Sequence, residues 1–258
     1  MNMKQMNFNK MLKKVAFFLM IFLMSFETNA QDIQAKIIYN RKTDWISIMS
    51  KLPYMTQEEI DRSKLTWGNY SDNKGRNYEL YIDNNKSLYL LKEEKSESGY
   101  SWKPEKFVLD RDHKKNTTSD VIETLGKTFL VEDAIPKYRW KILNEIKEIE
   151  GYLCMKAETR DTIKSQTIHA WFTDRIPFYG GPEGYSGLPG LILELDINNG
   201  DAIVTATKVD LESAEFDFPK QSKKKGKKTT YAEMNKLYAK FIRESIEGEK
   251  NPYWRIRY

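Results

Sequence analysis

The sequence predicts a mainly β fold: an antiparallel meander with one helix near the C-terminus. Two hairpin patterns in the second half of the chain carry this prediction, since in each one a single register aligns the apolar faces of both strands. An amphipathic stretch after a lysine-rich segment indicates the helix.

The first hairpin is predicted over residues 152–159 and 167–174. One antiparallel register aligns its apolar residues, pairing Leu153 with Phe172, Met155 with Ala170 and Ala157 with Ile168. The second hairpin joins residues 191–197 to 201–209 through Asn199-Gly200, a dipeptide that tolerates the positive φ angles of a tight turn. Its predicted pairs are Ile197 with Ala202, Leu195 with Val204 and Leu193 with Ala206.

Weaker patterns extend the meander toward the N-terminus. A hairpin is predicted over residues 77–91, and single strands over 34–40, 107–109, 128–131 and 138–143. Thr56 and Glu59 form a capping box that predicts a short helix over 55–64. Thr229 or Thr230 is the expected cap of the helix over 231–246.

The first 30 residues have the features of a signal peptide. Four lysines precede an apolar run, residues 15–24, which is too short to span a bilayer. Small residues before Gln31 offer a cleavage site. We therefore expect an exported single β-rich domain over residues 31–258, the alternative being an uncleaved amphipathic anchor.

Composition excludes several functional classes. The net charge is +5, and the four lysines and one glutamate of the signal peptide account for +3 of it, so the remaining +2 gives no case for nucleic-acid binding. Cys154 is the only cysteine, which excludes an intrachain disulfide. Phosphate-binding, dinucleotide-binding and nucleophile-elbow motifs are absent from the sequence, and we expect no cofactor.

A glycine- and proline-rich loop ends in the hexapeptide Gly187-Leu188-Pro189-Gly190-Leu191-Ile192. Proline at the second position and glycine at the third predict a type II turn over Leu188 to Leu191. The motif is interpreted as a structural corner, with a ligand-binding loop as the alternative.

The hexapeptide and the segments before it resemble the GLPGLI proteins, a family of secreted bacterial proteins without an assigned activity. The similar region runs from Trp140 to Asp196 and includes Gly151-Tyr-Leu-Cys-Met-Lys-Ala157, Ala170-Trp-Phe-Thr173 and Ile176-Pro177. The resemblance implies a curved half-barrel similar to lipoprotein-carrier folds, which shelter apolar ligands. It also implies export to the periplasm or outer envelope of a Gram-negative bacterium, with a TonB-dependent outer-membrane receptor as a partner.

Three groups of residues are candidate sites. Trp171, Phe178, Tyr179, Tyr185 and Leu188 around the hexapeptide are candidates to line a binding site for an apolar or peptide-like ligand, with ordinary packing as the alternative. Cys154 and His169 are expected to be diagonal neighbours in the first hairpin, within reach of a soft metal. Six lysines in Lys220–Lys228 are candidates for contact with anionic lipid, or form a solvated loop.

Taken together, these patterns favour an exported envelope binding or accessory protein without evident catalysis. Two alternatives stay open: an envelope metal-handling protein that uses Cys154 and His169, and a hydrolase whose site the sequence does not reveal.

Overall fold

Twelve strands form a single sheet in the computed structural model, which describes residues 33–67, 74–92, 105–211, 217–220 and 223–258. The predicted signal peptide lies outside these residues. The strands are β1 (Gln34–Thr43), β2 (Arg76–Asp83), β3 (Lys86–Leu91), β4 (Phe107–Asp112), β5 (Thr117–Thr124), β6 (Lys127–Ala134), β7 (Lys141–Ile149), β8 (Tyr152–Asp161), β9 (Gln166–Thr173), β10 (Leu191–Ile197), β11 (Ala202–Leu211) and β12 (Lys227–Thr229).

The helices among these residues are α1 (Trp45–Ser50), α2 (Gln57–Trp67) and α3 (Tyr231–Glu247). Short 3-10 turns occur at Pro182–Gly184 and Pro252–Trp254. None of the helices in the described part of the chain has both the length and the apolar character needed to span a membrane.

The strand order is β12-β6-β5-β4-β3-β2-β1-β11-β10-β9-β8-β7. Strands β2 to β6 and strands β7 to β11 therefore form two meanders, and β1 joins them by pairing with β2 on one side and β11 on the other. All pairings are antiparallel except that of β12 with β6, which is parallel. The predicted β-rich meander with a C-terminal helix is confirmed.

A single hydrophobic core draws on strands from both meanders. Ile37 of β1, Leu80 of β2, Val131 of β6, Ala157 of β8 and Leu195 of β10 all belong to one buried cluster. Strands that lie far apart in the strand order can share a core only if the sheet curves around it, so the shared cluster indicates a curved sheet.

The two predicted hairpins both form, but only one has the predicted register. In the β10–β11 hairpin, Ile197 pairs with Ala202 and Leu195 with Val204, as expected, and the described ladder ends at Glu194 without the third predicted pair. Leu193 lies instead at an irregularity in the pairing of β10 with β9.

The register of the β8–β9 hairpin differs from the prediction by two residues. Phe172 pairs with Met155 rather than Leu153, and His169 pairs with Glu158 rather than Lys156. The turn decides this, because the Asp161 carboxylate accepts the backbone N–H groups of Ile163 at 2.8 Å and Lys164 at 3.0 Å. A two-residue slip keeps every side chain on its own face, so the apolar pattern cannot distinguish the two registers.

Both predicted helices form with their predicted caps. The Thr56 and Glu59 side chains each bond to the other's backbone N–H at the start of α2, and Thr230 and Glu233 do the same at α3.

The sequence patterns missed α1 and β5. The lysine-rich segment is not entirely a solvated loop either, since β12 pairs with β6 and Lys224 binds the carboxylate of Asp110 at 2.5 Å.

The hexapeptide forms a tighter turn than the type II turn predicted. The Gly190 N–H donates to the Leu188 carbonyl at 2.8 Å, and the Leu191 N–H donates to Ile176 at 3.1 Å instead of closing a four-residue turn. Gly190 has φ +149°, and a Cβ at this position would lie 2.0 Å from the Thr173 carbonyl oxygen. The contact with the end of β9 therefore requires glycine, which supports the structural-corner interpretation.

Truncating a shared core residue should destabilise both meanders together. Leu195 is fully buried, so Leu195→Ala is expected to lower the free energy of unfolding by about 2–5 kcal/mol. Leu65 is 86% exposed, and Leu65→Ala is the matched control, expected to change stability by less than about 0.5 kcal/mol. Urea denaturation measures both, and equal effects of the two substitutions would contradict the described core.

Candidate functional site

One cleft of about 760 Å³ lies among the central strands, the C-terminal helix and the end of the chain. Strands β1, β2, β4 and β5 supply part of its wall, and further parts come from residues 136–138, the β8–β9 turn, the 3-10 turn at Pro182–Gly184, α3 and residues 253–258. Segments far apart in sequence thus meet around one concave surface, which is the usual location of a ligand site.

Glu183 is a buried carboxylate in the wall of this cleft, with its side chain only 5% exposed. Two guanidinium N–H groups of Arg257 bind its two oxygens at 2.5 and 2.6 Å, and the Tyr89 hydroxyl donates to it at 3.0 Å. The Arg41 guanidinium lies 3.7 Å away. A buried carboxylate needs such partners, since an unpaired charge in the interior is strongly unfavourable.

The backbone at Glu183 is strained. Its φ of +56° lies in the left-handed region, which glycine and asparagine adopt more readily than glutamate. Strain of this kind persists only where the surrounding structure enforces it, and here the ion pair with Arg257 and the bond from Tyr89 do so. Glu183 is therefore held in place by its charge partners and not by local preference.

The charges next to Glu183 have a larger effect on its pKa than its burial does. Burial by itself would raise the pKa of this carboxyl group, but the charge and hydrogen bonds of Arg257, with the charge of Arg41, lower it to about 2. Glu183 is thus ionised throughout the neutral range, and its role is to hold the two arginines in the cleft wall.

A second buried ion cluster borders the cleft at Arg111. Its guanidinium lies 3.3 Å from the Asp120 carboxylate and donates to the Gly184 carbonyl at 2.5 Å and to the Tyr231 hydroxyl at 2.9 Å. The Tyr231 hydroxyl in turn donates to Asp120. This network connects β4, β5, the loop before β10 and α3.

Glu105 and Glu123 form a pair of carboxyl groups in the lining of the cleft. Two hydrogen bonds join the segments, because the Lys106 N–H donates to the Glu123 carboxylate at 3.1 Å and the Glu123 N–H donates to the Lys106 carbonyl at 2.7 Å. Partial burial of the Glu105 carboxyl group and the charge of Glu123 raise the pKa of Glu105, against the charges of nearby arginines. A carboxyl group with a raised pKa beside a second carboxyl group is a candidate for acid–base chemistry.

Aromatic side chains make up much of the remaining wall. Arg257 lies over the rings of Phe107 at 4.1 Å and Tyr78 at 4.7 Å. Trp254 lines the cleft and is 68% exposed, so most of its surface is open to solvent. The aromatic residues of the lining are Trp45, Tyr78, Phe107, Tyr138, Tyr185, Tyr231, Tyr238, Tyr253, Trp254 and Tyr258.

The predicted aromatic binding site is not assembled as expected. Of its five residues only Tyr185 lines the cleft, where its ring packs on Tyr138 at 4.7 Å. Phe178 and Leu188 are buried, and Tyr179 is 62% exposed. Trp171 contacts the ammonium groups of Lys147 and Lys156. The sequence analysis did not identify Glu183, Arg41 or Arg257 as site residues. Glu183 could have been noticed locally, because it is a charged residue among the glycines of residues 180–190.

Cys154 and His169 do not form the predicted pair. Cys154 faces Lys147 of β7, while His169 pairs with Glu158 and Asp196 and contacts the Glu158 carboxylate at 3.2 Å. The predicted diagonal placement of Cys154 and His169 was wrong because it rested on a register that the β8–β9 hairpin does not adopt. Among the described residues, no group of three histidine, cysteine, aspartate or glutamate side chains is placed to hold a metal ion.

Comparison with known proteins identifies the family. The family model described as "N-glycanase peptide, N-terminal domain" matches residues 63–234, two thirds of the chain. The chain belongs to this N-glycanase N-terminal domain family. No curated protein matches the chain.

Two crystal forms of PNGF-II have a similar fold. The form in space group P21 has a TM-score of 0.51 and the form in C2 a TM-score of 0.50, each at 21% sequence identity over 80% of this chain. The chain covers 33% and 32% of the length of those two chains. At this identity the similarity shows the fold alone.

The family assignment corrects two predictions. The residues that resemble GLPGLI proteins, Trp140 to Asp196, fall within the region that the N-glycanase N-terminal model matches, so the identification with the GLPGLI family is wrong. The prediction of a binding or accessory protein without catalysis is wrong as well, because the family is named for glycan cleavage. Of the interpretations left open, the hydrolase is the one that the family favours.

Replacing Glu183 should remove a specific pH dependence of stability. Its folded pKa of about 2 lies below the ordinary value of 4.5, so the stabilisation is present above about pH 4.5 and is lost as the pH falls toward 2. Glu183→Gln should be less stable than wild type by about 3–5 kcal/mol at pH 6, and the gap should narrow by about 3 kcal/mol near pH 2.

Denaturation with urea at several pH values measures this gap. Glu148→Gln, which changes an exposed glutamate of β7, is the control and should follow the wild-type profile. Parallel profiles for wild type and Glu183→Gln would contradict the charge pairing described.

The Cys154 thiol should be unreactive in the folded protein. Burial raises its pKa to about 11 from an ordinary value of 9.0, so the thiolate fraction at pH 8 should be about 100-fold smaller than in the unfolded chain. Alkylation by iodoacetamide, followed by mass spectrometry with and without urea, measures the difference. Equal rates in the two states would contradict the burial of this thiol.

Proposed function

We propose that this chain acts in the hydrolytic removal of N-linked glycans and that its cleft holds the glycan-bearing part of the substrate. One observation carries the proposal: in a chain of the N-glycanase N-terminal family, an aromatic-lined cleft of about 760 Å³ contains a pair of carboxyl groups.

The lining of the cleft suits a carbohydrate. Sugar rings stack on aromatic faces through their C–H groups, while their hydroxyls bind charged and polar side chains. Trp254 offers an exposed aromatic side chain, and Tyr138, Tyr185 and Tyr238 combine aromatic rings with hydroxyl groups. The volume of about 760 Å³ is within the range of sites that enclose a ligand of several sugar units.

Glu105 and Glu123 are the residues that we assign to the proton transfers. Hydrolysis of the amide that joins a glycan to asparagine adds a water oxygen to the carbonyl carbon and breaks the carbon–nitrogen bond. In our assignment Glu123 accepts a proton from the attacking water, and Glu105 donates its proton to the leaving nitrogen. The raised pKa of Glu105 suits the acid, because its carboxyl group keeps a proton to higher pH than an ordinary glutamate.

Glu183 is unsuited to either proton transfer. Its pKa of about 2 makes it a weak base and leaves it no proton to donate near neutral pH. Both of its oxygens already bind Arg257. We therefore assign Glu183 a positioning role, in which it holds Arg257 against the rings of Tyr78 and Phe107.

The direct test is release of a glycan from a defined N-glycopeptide by this chain. Mass spectrometry of the peptide distinguishes cleavage of the asparagine amide, which leaves aspartate, from cleavage between two sugars, which leaves one sugar on asparagine. Amide cleavage is the expected result. A glycopeptide that stays intact, whether it binds or not, would contradict the proposal.

Removing the acid should lower the rate without abolishing binding. Glu105→Gln is expected to reduce kcat by about 100-fold or more and to leave KM nearly unchanged. The rate of the wild type should fall as the pH rises past the pKa of Glu105, and the variant should lack this limb. Glu148→Gln on β7 lies away from the cleft lining and serves as the charge-matched control. Wild-type kcat in Glu105→Gln would exclude Glu105 as the acid.

A further inference from the structure

The cleft has more positive than negative side chains. Among the described residues, seven arginines and lysines line it against four aspartates and glutamates, a formal excess of three positive charges, of which the charge of Arg111 is neutralised by Asp120 outside the lining. The predicted mature chain has a net charge of only +2, so this concentration is a property of the cleft and not of the protein as a whole. Like charges gathered in one concave surface repel one another, and an anionic ligand removes this repulsion.

From this arrangement we propose that the glycan taken by the cleft is an acidic one, and that Lys164, with Arg41 beside it, receives its carboxylate or sulfate group. The inference rests on the proposed function and adds the chemical class of the substrate to it.

Lys164 is the cation best placed for this role. It lies in the β8–β9 turn, is partly buried, and forms no ion pair with any residue that the structure describes. The charges of Asp161 and Glu183, and to a smaller extent those of Arg41 and Arg257, act on Lys164, which places the three cations in one region of the cleft. Burial lowers the pKa of Lys164, so an anion bound next to the ammonium group would favour its charged form.

The nearby carboxylates of Asp161 and Glu183 act on Lys164 at a distance but form no ion pair with it within the described part of the chain. Glu183 is bound by two N–H groups of Arg257 and by the Tyr89 hydroxyl. Asp161 accepts the backbone N–H groups of Ile163 and Lys164 through one oxygen, an arrangement that shapes the turn.

Two arginines of the cleft have an N–H group without an acceptor. The Nε atoms of Arg41 and Arg111 are buried and have no hydrogen-bond partner among the described residues, although the Arg41 Nε lies 3.7 Å from a carboxylate oxygen of Glu183, beyond hydrogen-bond distance. Arg41 binds Thr43 and the main-chain oxygen of Tyr258 through its other nitrogens. An unsatisfied buried donor is unusual in a native protein, and an anionic acceptor is the group that it binds most strongly.

Calorimetric titration of one N-glycopeptide in three forms tests this proposal, with Glu105→Gln as the background in which cleavage is slow and binding is retained. The forms are neutral, sialylated and sulfated, and inorganic sulfate is the probe for a free anion. The two acidic forms should bind at least about 10-fold more tightly than the neutral one, as one charge-assisted contact allows. The advantage should shrink as the salt concentration rises.

Lys164→Gln should remove the preference for acidic forms and leave the affinity for the neutral form unchanged. Lys42→Gln is the matched control, because Lys42 carries the same charge next to Arg41 in sequence but is exposed and outside the cleft lining. It should keep the wild-type preference.

The outcomes separate this inference from the proposed function. Equal affinity for all three forms, with amide cleavage intact, would overturn the acidic-glycan assignment alone. Equal weakening of all three forms in Lys164→Gln would show a structural role and would overturn it too. Inorganic sulfate that binds as tightly as the sulfated glycopeptide would overturn the assignment to a glycan. If no form binds or is cleaved, the proposed function fails and this inference fails with it.

Discussion

The buried carboxylate of Glu183 imposes the constraint on which the cleft depends. A charge in the interior must be neutralised in place, and here the partners are Arg41 of β1 and Arg257 near the end of the chain. β1 lies between the two meanders, so this ion cluster ties the glycine-rich loop and the C-terminal segment to the centre of the sheet. The strained backbone at Glu183 is the local cost of this arrangement.

The charged groups of the cleft fall into two sets: those that are ion-paired within the protein, and those that can still bind a ligand or exchange protons. Arg111 with Asp120, and Arg257 with Glu183, are paired and buried, which makes their positions rigid. Glu105, Glu123 and Lys164 lie in the same cleft without a bidentate partner of this kind. Residues of the second group are free to exchange protons or bind an ionic ligand, and the proposals for catalysis and for substrate charge rest on them.

Much of the fold could be predicted, but little of the site. Of the aromatic residues predicted around the hexapeptide, only Tyr185 lines the cleft. The direction of a side chain in a loop depends on tertiary packing, which the hydrophobic pattern of the sequence does not show. The proposed pairing of Cys154 with His169 failed for a related reason. Two registers of the β8–β9 hairpin bury the same apolar faces, and the Asp161 turn selects between them. The family resemblance failed too, since short motifs in the region 140–196 were matched to the wrong family.

The sequence alone determined the alternation of apolar and polar residues along the strands, the Asn199-Gly200 hairpin, and the Thr56 and Thr230 helix caps. Each of these depends on interactions between residues a few positions apart. Only the tertiary structure decided the place of β1 between the meanders, the curvature of the sheet and the meeting of Arg41, Lys164, Glu183 and Arg257 in one cleft. These features join residues up to some two hundred positions apart, and their energy comes from burial and charge pairing that exist only once the chain has folded.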